Sequence, residues 1–204
     1  MFLPHVKICG ITRRSDALAA ADAGAGALGA VFYKKSPRNV SAEQARRLFD
    51  GLPPEIAREA CLDTIQMHGE ETVETCAALL REGFHVVQAI KRTGPGLLSA
   101  GRALPMKADV LVECGRGALP GGNGMAWNWS AAAPLADFRP FAIAGGLNAE
   151  NLAAAARDSR AAGFDASSGV ESAPGVKDEA DVRAFLRAAA ELPPATVPFS
   201  WKGL

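Results

Sequence analysis

The 204-residue chain has no surplus of charge, since 22 Lys and Arg balance 22 Asp and Glu. Bulk charge therefore points to neither a nucleic acid nor a membrane surface, and an anionic ligand would have to be held by local groups. The four cysteines, Cys9, Cys61, Cys76 and Cys114, form no C-x-x-C pair, and no His cluster has zinc-ligand spacing. That pattern argues against a metal site and a disulfide scaffold, and fits a reduced, cytoplasmic protein. No apolar stretch is long enough to span a membrane. The opening MFLPHVKICG lacks a basic region followed by a long apolar one, so no signal peptide is expected.

What is present is an ordinary globular composition, 49% hydrophobic and 22% charged. It can bury one substantial core, and a single domain over residues 1–204 is expected. Short apolar runs (VKICGI, ALGAVFY, LDTIQM, HVVQAI, DVLVEC, FAIAGG, GFDASSG) alternate with helix-period segments (SDALAAADAGA, SAEQARRLF, ETVETCAALLREG, AENLAAAARDSRAAG, DEADVRAFLRAAAEL). Continuous apolar strands between helices indicate a parallel sheet covered by helices, an α/β fold. Ser41 ahead of Glu43 and Gln44, and the acids Glu70 and Glu71, mark helix starts; Gly24, Gly51, Gly83 and Gly163 fit helix C-caps. A (β/α)8 barrel needs eight units, and only seven strands are visible. The third should fall near GLPPEIAREA, which has no such run. Either the barrel is built differently there or residues are absent around Pro53–Ile56, in which case Cα spacings near Pro54 would be broken. The proline-rich end LPPATVPFSWKGL reads as a free tail or a linker stub.

Polar residues recur at strand ends. Cys9 ends VKIC, His68 ends LDTIQMH and Glu113 ends DVLVE. Alone, Cys9 reads as a small core residue, His68 as a structural histidine and Glu113 as a solvated carboxylate. Together, at corresponding ends of parallel strands, they would converge on the face where such barrels keep their chemistry. Two glycine turns, AGGLNAEN with Gly145, Gly146 and Asn148, and DASSGVE with Ser167, Ser168 and Gly169, occupy the last two units. Their exposed N–H groups suit a phosphate, although each could be only a tight turn. In KKSPRNV, Pro37 stiffens a loop beside Arg38, whose planar fork can clamp a carboxylate. In LPGGNGMAWNW, Trp127 and Trp129 read as packing residues for the following helix.

These strings, KICGIT, AVFYKKSPRNVSAEQA, LDTIQMHG, LPGGNGMAWNW, AGGLNAENL and DASSGVESAPGVKD, run in order over nearly the whole chain. They resemble the phosphoribosylanthranilate isomerases of tryptophan biosynthesis. The resemblance implies a (β/α)8 TIM barrel. It also implies an Amadori rearrangement of N-(5-phosphoribosyl)anthranilate to 1-(2-carboxyphenylamino)-1-deoxyribulose 5-phosphate, with no cofactor and no metal. It implies Cys9 as general base and Glu113 as general acid, where the family has an aspartate. Arg38 would hold the anthranilate carboxylate, His68 would lie in the pocket, and Gly145, Gly146, Asn148, Ser167, Ser168 and Gly169 would meet the phosphate. A thiol serving as base at neutral pH needs its pKa lowered by its surroundings, and a carboxyl serving as acid needs burial. The extra methylene of Glu113 moves its carboxyl by over an ångström, and about 1 Å of misplacement can cost roughly 10²-fold in rate. The expected partner is a small phosphorylated substrate, with no nucleic acid and no membrane, for a monomer or homodimer. Two other readings remain: an aminoribose-phosphate isomerase of histidine biosynthesis, against which the cysteine of KICG argues, and a non-catalytic phosphosugar-binding barrel.

Overall fold

The computed structural model describes residues 2–50, 52, 64–68, 71–91, 95–113 and 127–201. Among these, seven strands form one sheet: β1 (Leu3–Cys9), β2 (Ala25–Gly29), β3 (Thr64–Met67), β4 (His85–Ile90), β5 (Asp109–Val112), β6 (Ala142–Ala144) and β7 (Gly163–Ala166). Their order is β2-β1-β7-β6-β5-β4-β3, and every pairing is parallel. The last strand thus returns to the first, as in a barrel, and the wall of described strands opens between β2 and β3. All seven strands coincide with the apolar runs of the sequence. The stretch around Pro53–Ile56, where a third run is missing, lies outside the described residues.

Helices α1 (Arg14–Asp22), α2 (Ala42–Phe49), α3 (Val73–Arg81), α4 (Pro95–Ala103), α5 (Leu152–Ser159) and α6 (Glu179–Ala190) follow the strands. The Ser41 side chain accepts from the Gln44 N–H while the Gln44 side chain accepts from the Ser41 N–H, a reciprocal cap that fixes the start of α2. Thr72, just after Glu71, caps α3, its side chain accepting from the Thr75 N–H, and Glu70 lies outside the described residues. Gly24 and Gly83 follow α1 and α3 with positive φ, as expected of C-caps. Gly51 lies outside the described residues, and Gly163 belongs to β7, because Arg160 already ends α5 in the left-handed conformation. Helix α4 had no sequence signal, since it contains two glycines. One of them, Gly101, is a packing requirement: a Cβ there would stand 2.6 Å from Leu135 Cδ1. Between β5 and β6 the chain forms a 3-10 helix, Trp129–Asp137, with Pro134 inside it.

Side chains point alternately to the two faces of the strands, both of which are buried. Val6 and Ile8 of β1, Val110 and Val112 of β5, Ile143 of β6 and Phe164 and Ala166 of β7 join a large cluster with the helices. Leu111, Ala142, Ala144 and Val87 face the other way and form a second, smaller cluster with Phe199 and Trp201. Through Trp201 the C-terminal segment is therefore not a free tail. Its two aromatic rings, 5% and 2% exposed, fill the interior of the sheet.

Phe185 of α6 is among the largest fully buried side chains. Phe185→Ala is expected to cost about 3–5 kcal/mol, read as a lower urea midpoint at unchanged slope.

Candidate active site

Strand β1 carries Lys7 and Cys9 on its inner face, opposite to Val6 and Ile8. The backbone carbonyl of Cys9 accepts a hydrogen bond from Ser167 Oγ at 3.1 Å, which ties the end of β1 to the loop after β7. Gly10 then turns with φ +75°, and a Cβ there would fall 2.4 Å from Arg38 Cδ and 3.0 Å from Ser167 Oγ. The glycine of KICG is thus the space through which Cys9, Arg38 and Ser167 approach one another. Burial is the largest influence on the Cys9 thiol and raises its pKa above the ordinary value; the Lys7 and Lys177 ammoniums oppose that rise and Asp165 adds to it. The direction is opposite to the lowering expected from sequence, because desolvation of the thiolate outweighs the two nearby cations.

Across the sheet, β3 delivers His68 and β5 delivers Glu113. His68 Nε2 lies 3.3 Å from Glu113 Oε2. Its ring nitrogens stand 3.1 and 3.4 Å from the amide nitrogen of Gln66, two residues earlier on the same face. Lys91 Nζ donates to the His68 carbonyl and steadies the strand end. Glu113 is only 4% exposed, its N–H donates to the Ile90 carbonyl, and among the described residues its Oε1 has no hydrogen-bond partner. A buried carboxyl oxygen without a partner is costly unless something else meets it. Strands β7 and β6 separate β1 from β5, so Cys9 and Glu113 approach the carboxyl edge of the sheet from different sides.

Arg38 is buried, and its fork is already engaged. Nε and Nη2 donate to the two carboxylate oxygens of Glu171 at 2.8 and 2.6 Å. Glu171 and Lys177 come from a short antiparallel hairpin, β8 (Glu171–Ala173) and β9 (Val176–Lys177), whose register sets them opposite each other. Lys177 Nζ donates to Glu171 Oε1 at 2.7 Å and to the Ser167 carbonyl at 3.1 Å. The hairpin is anchored to α1: Asp16 accepts from the Lys177 N–H, and Arg13, itself paired to Asp16, donates to the Lys177 carbonyl. Thr12 Oγ1 donates to the Gly175 carbonyl at the hairpin tip. Burial raises the Glu171 carboxyl, but its bonds to Arg38 and Lys177 outweigh it and hold the pKa below the ordinary value.

The two glycine turns meet. A Cβ on Gly169 would overlap the Leu147 carbonyl oxygen at 2.0 Å, so the turns at 145–148 and 167–169 pack backbone against backbone. Gly145 and Gly146 both adopt positive φ. Asn148 and Asn151 cap each other's N–H groups at 3.0 Å, and Asn151 Nδ2 donates to the Gly146 carbonyl. The Asn148 side-chain oxygen and N–H are therefore committed to shaping the turn. Ser168 opens a single 3-10 turn, Ser168–Val170. Trp127 donates from Nε1 to the Ala144 carbonyl and Trp129 packs against the core, in keeping with packing roles.

The structure thus gathers Cys9, Arg38, Ser167, Ser168 and Gly169 on one side and His68 with Glu113 on the other, with the turn of Gly145, Gly146 and Asn148 leaving the strand between them. Sequence reasoning missed Lys7, Asp165, Glu171 and Lys177. A signal existed for the first two: a lysine inside the apolar run VKICGI and an aspartate inside GFDASSG are opposite charges in strands. Among the described residues, no group of three or more His, Cys, Asp or Glu could hold a metal ion, and no helix is long and apolar enough to cross a membrane.

A sequence model described as N-(5'phosphoribosyl)anthranilate (PRA) isomerase matches residues 6–188. A protein of Pseudomonas fluorescens (strain Pf0-1) named N-(5'-phosphoribosyl)anthranilate isomerase is 41% identical over 202 residues, covering 89% of this chain and 96% of its own. That aligned length exceeds the share of this chain it uses, so the relative carries residues with no counterpart here. A protein of the same name from Cereibacter sphaeroides (strain ATCC 17029 / ATH 2.4.9) is 41% identical over 207 residues, 91% of this chain and 98% of its own. The crystal structure of phosphoribosyl anthranilate isomerase from Thermotoga maritima superposes with TM-score 0.82 at 33% identity, covering 93% of this chain and 100% of that one. A structure of the isomerase in complex with reduced 1-(o-carboxyphenylamino)-1-deoxyribulose 5-phosphate superposes with TM-score 0.79 at 32% identity, with the same coverage.

The lowered Glu171 pKa has a defined stability signature. A depressed folded pKa contributes stability that is present above the unfolded value and lost as pH falls through the folded one. The stability gap between the wild type and Glu171→Gln, measured by urea unfolding, should be widest above about pH 5 and narrow below about pH 4. A gap that stays constant into acid would mean that the Arg38–Glu171–Lys177 cluster adds no charge-dependent stability.

Proposed function

The chain belongs to the N-(5'-phosphoribosyl)anthranilate isomerase family, the (β/α)8-barrel isomerases of tryptophan biosynthesis, and we propose that it rearranges its substrate with Glu113 as general acid and Cys9 as general base. The observation that carries this reading is the buried Oε1 of Glu113, without a hydrogen-bond partner among the described residues, at the same strand edge as Cys9. One carboxyl oxygen rests on His68; the other delivers a proton to the ribose ring oxygen, which opens the sugar and leaves an iminium carbon. That carbon acidifies its neighbour, and the Cys9 thiolate removes the proton to give the enolamine, which collapses to the ketose. Each transfer contributes roughly 10²–10⁴-fold.

The phosphate is held by the N–H groups of Gly145, Gly146 and Gly169 with the Ser168 hydroxyl, while Ser167, whose hydroxyl is given to the Cys9 carbonyl, and Asn148 support the turns that present them. The anthranilate carboxylate meets Arg38 on its Nη1–Nη2 end, since the Nε–Nη2 edge is taken by Glu171. Arg38 and Lys177 against Glu171 leave one net positive charge in this cluster, which favours an anion in a chain of zero formal charge. Side chains cover both proton transfers, so the reaction as read calls on no cofactor. We further place the protein in the cytoplasm, acting on a small phosphorylated substrate as a monomer or homodimer, a range that includes the dimeric state named for a similar solved isomerase.

Turnover of phosphoribosylanthranilate, followed by its fluorescence, is expected to fall by about 10²–10⁴-fold in both Cys9→Ala and Glu113→Gln. A folded wild type that binds a product analogue without turnover would overturn the reading in favour of a non-catalytic barrel. The base must be deprotonated to act, and its pKa lies above the ordinary thiol value. The rate at limiting substrate should therefore climb with pH from neutrality into the alkaline range; a flat profile there would remove Cys9 as the base.

A further inference from the structure

Beneath Cys9, on the same face of β1, the Lys7 ammonium is almost fully enclosed. It donates to Asp165 Oδ2 and to Gln66 Oε1, both at 2.9 Å. An ammonium has three donors, so among the described residues a third remains beyond these two hydrogen bonds. A Cβ on Gly29 would stand 2.8 Å from Cys9 Sγ and 3.1 Å from Lys7 Cε, so the thiol and the lysine stem both border the space of one missing methyl group. The underside of the ammonium is closed by the C-terminal segment. Its nitrogen lies 5.1 Å from the centroid of the Trp201 ring. Trp201 donates from Nε1 to the His5 carbonyl at 3.1 Å, and Phe199 stacks edge-on against it at 5.2 Å. Gly163, on β7, makes the room: a Cβ there would stand 2.5 Å from the Phe199 ring. The match to the family model ends at residue 188, so this plug lies beyond it.

We propose that Lys7, held by Asp165 from the side and by the Trp201 indole from below, is a positioning residue for Cys9 that stabilises its thiolate, and that the C-terminal segment thereby supports the catalytic base. A buried charge is retained only when its surroundings are arranged for it. Asp165 neutralises the ammonium over distance, and the lysine stem and the Cys9 thiol both border the space beside Gly29. The indole face stabilises the cation without competing for its hydrogens. Burial would lower the Lys7 pKa, but Asp165 and, less strongly, Cys9 outweigh it, so the side chain stays charged. Cys9 in turn feels Lys7 as the foremost influence opposing the rise that burial imposes.

The inference rests on Cys9 being the base, and its test is read without substrate so that the two fail separately. Iodoacetamide modification of Cys9, followed by mass spectrometry of the Cys9 peptide to exclude the other three cysteines, reports the thiolate fraction at each pH. Lys7→Met should move the profile to higher pH, and modification at pH 8 should slow about tenfold for every pH unit the profile moves. Lys7→Arg should move it less, because the charge is kept. Trp201→Leu keeps an apolar plug but loses the ring face, and should displace the profile in the same direction. Where Lys7→Met does not fold, Lys7→Arg and Trp201→Leu decide. Profiles that superimpose on the wild type, with only thermal stability lowered, would overturn the proposal and leave the Lys7–Asp165 pair a packing device. Full turnover in Cys9→Ala would overturn the base assignment instead.

Discussion

The register of β1 against β7 sets Lys7 opposite Asp165, and much of the molecule follows from that one pairing. An ammonium inside a sheet is expensive unless a carboxylate and further polar groups meet it. With period-two side chains, the same register turns Val6 and Ile8 to the helices and Lys7 and Cys9 inward; a slip of one residue would exchange the two sets. It also brings the β7 turn alongside the end of β1, where Ser167 donates to the Cys9 carbonyl. The Cys9 thiol and the turn that begins at Ser167 are thus positioned by a single strand pair.

Charge at the carboxyl edge is arranged in local groups rather than as a field. Lys7 with Asp165 is a neutral couple. Glu171 lies between Arg38 and Lys177, and the surplus positive charge of that cluster sits next to the Ser167 turn. On the far side, His68 and Glu113 form a weaker contact that leaves one carboxyl oxygen without a partner among the described residues. A chain with no net charge can in this way carry a locally positive cluster and a buried carboxyl on opposite sides of one sheet. The hairpin that supplies Glu171 and Lys177 is itself tied to the start of α1 through Asp16, so the cluster is braced from the same strand–helix unit that carries Cys9.

The strands were legible because parallel strands buried on both faces read as continuous apolar runs, and all seven runs became strands. Cys9, His68 and Glu113 were legible as polar residues closing such runs. Helix α4 was not, since its glycines carry no helix signal, and one of them is required by contact with Leu135, a residue far along the chain. Nor was the engagement of Arg38: a loop arginine looks free until a hairpin more than a hundred residues later delivers Glu171 to it. The tail misled for a similar reason. Its prolines signal irregular backbone, which is correct, but its two aromatics are buried by an interior that only the assembled sheet creates.

Local sequence by itself determined the alternation of strand and helix, the capped start of α2, and the chemical types available at each strand end, because these depend on neighbours within a turn or two of chain. Only tertiary structure decided the rest. It chose which charges pair, moved the Cys9 thiol upward rather than downward, and converted a proline-rich end into the floor beneath Lys7. Desolvation and ion pairing are set by what surrounds a group in space, and in a parallel sheet that curls back on its first strand those surroundings come from residues as far apart as Lys7, Asp165 and Trp201.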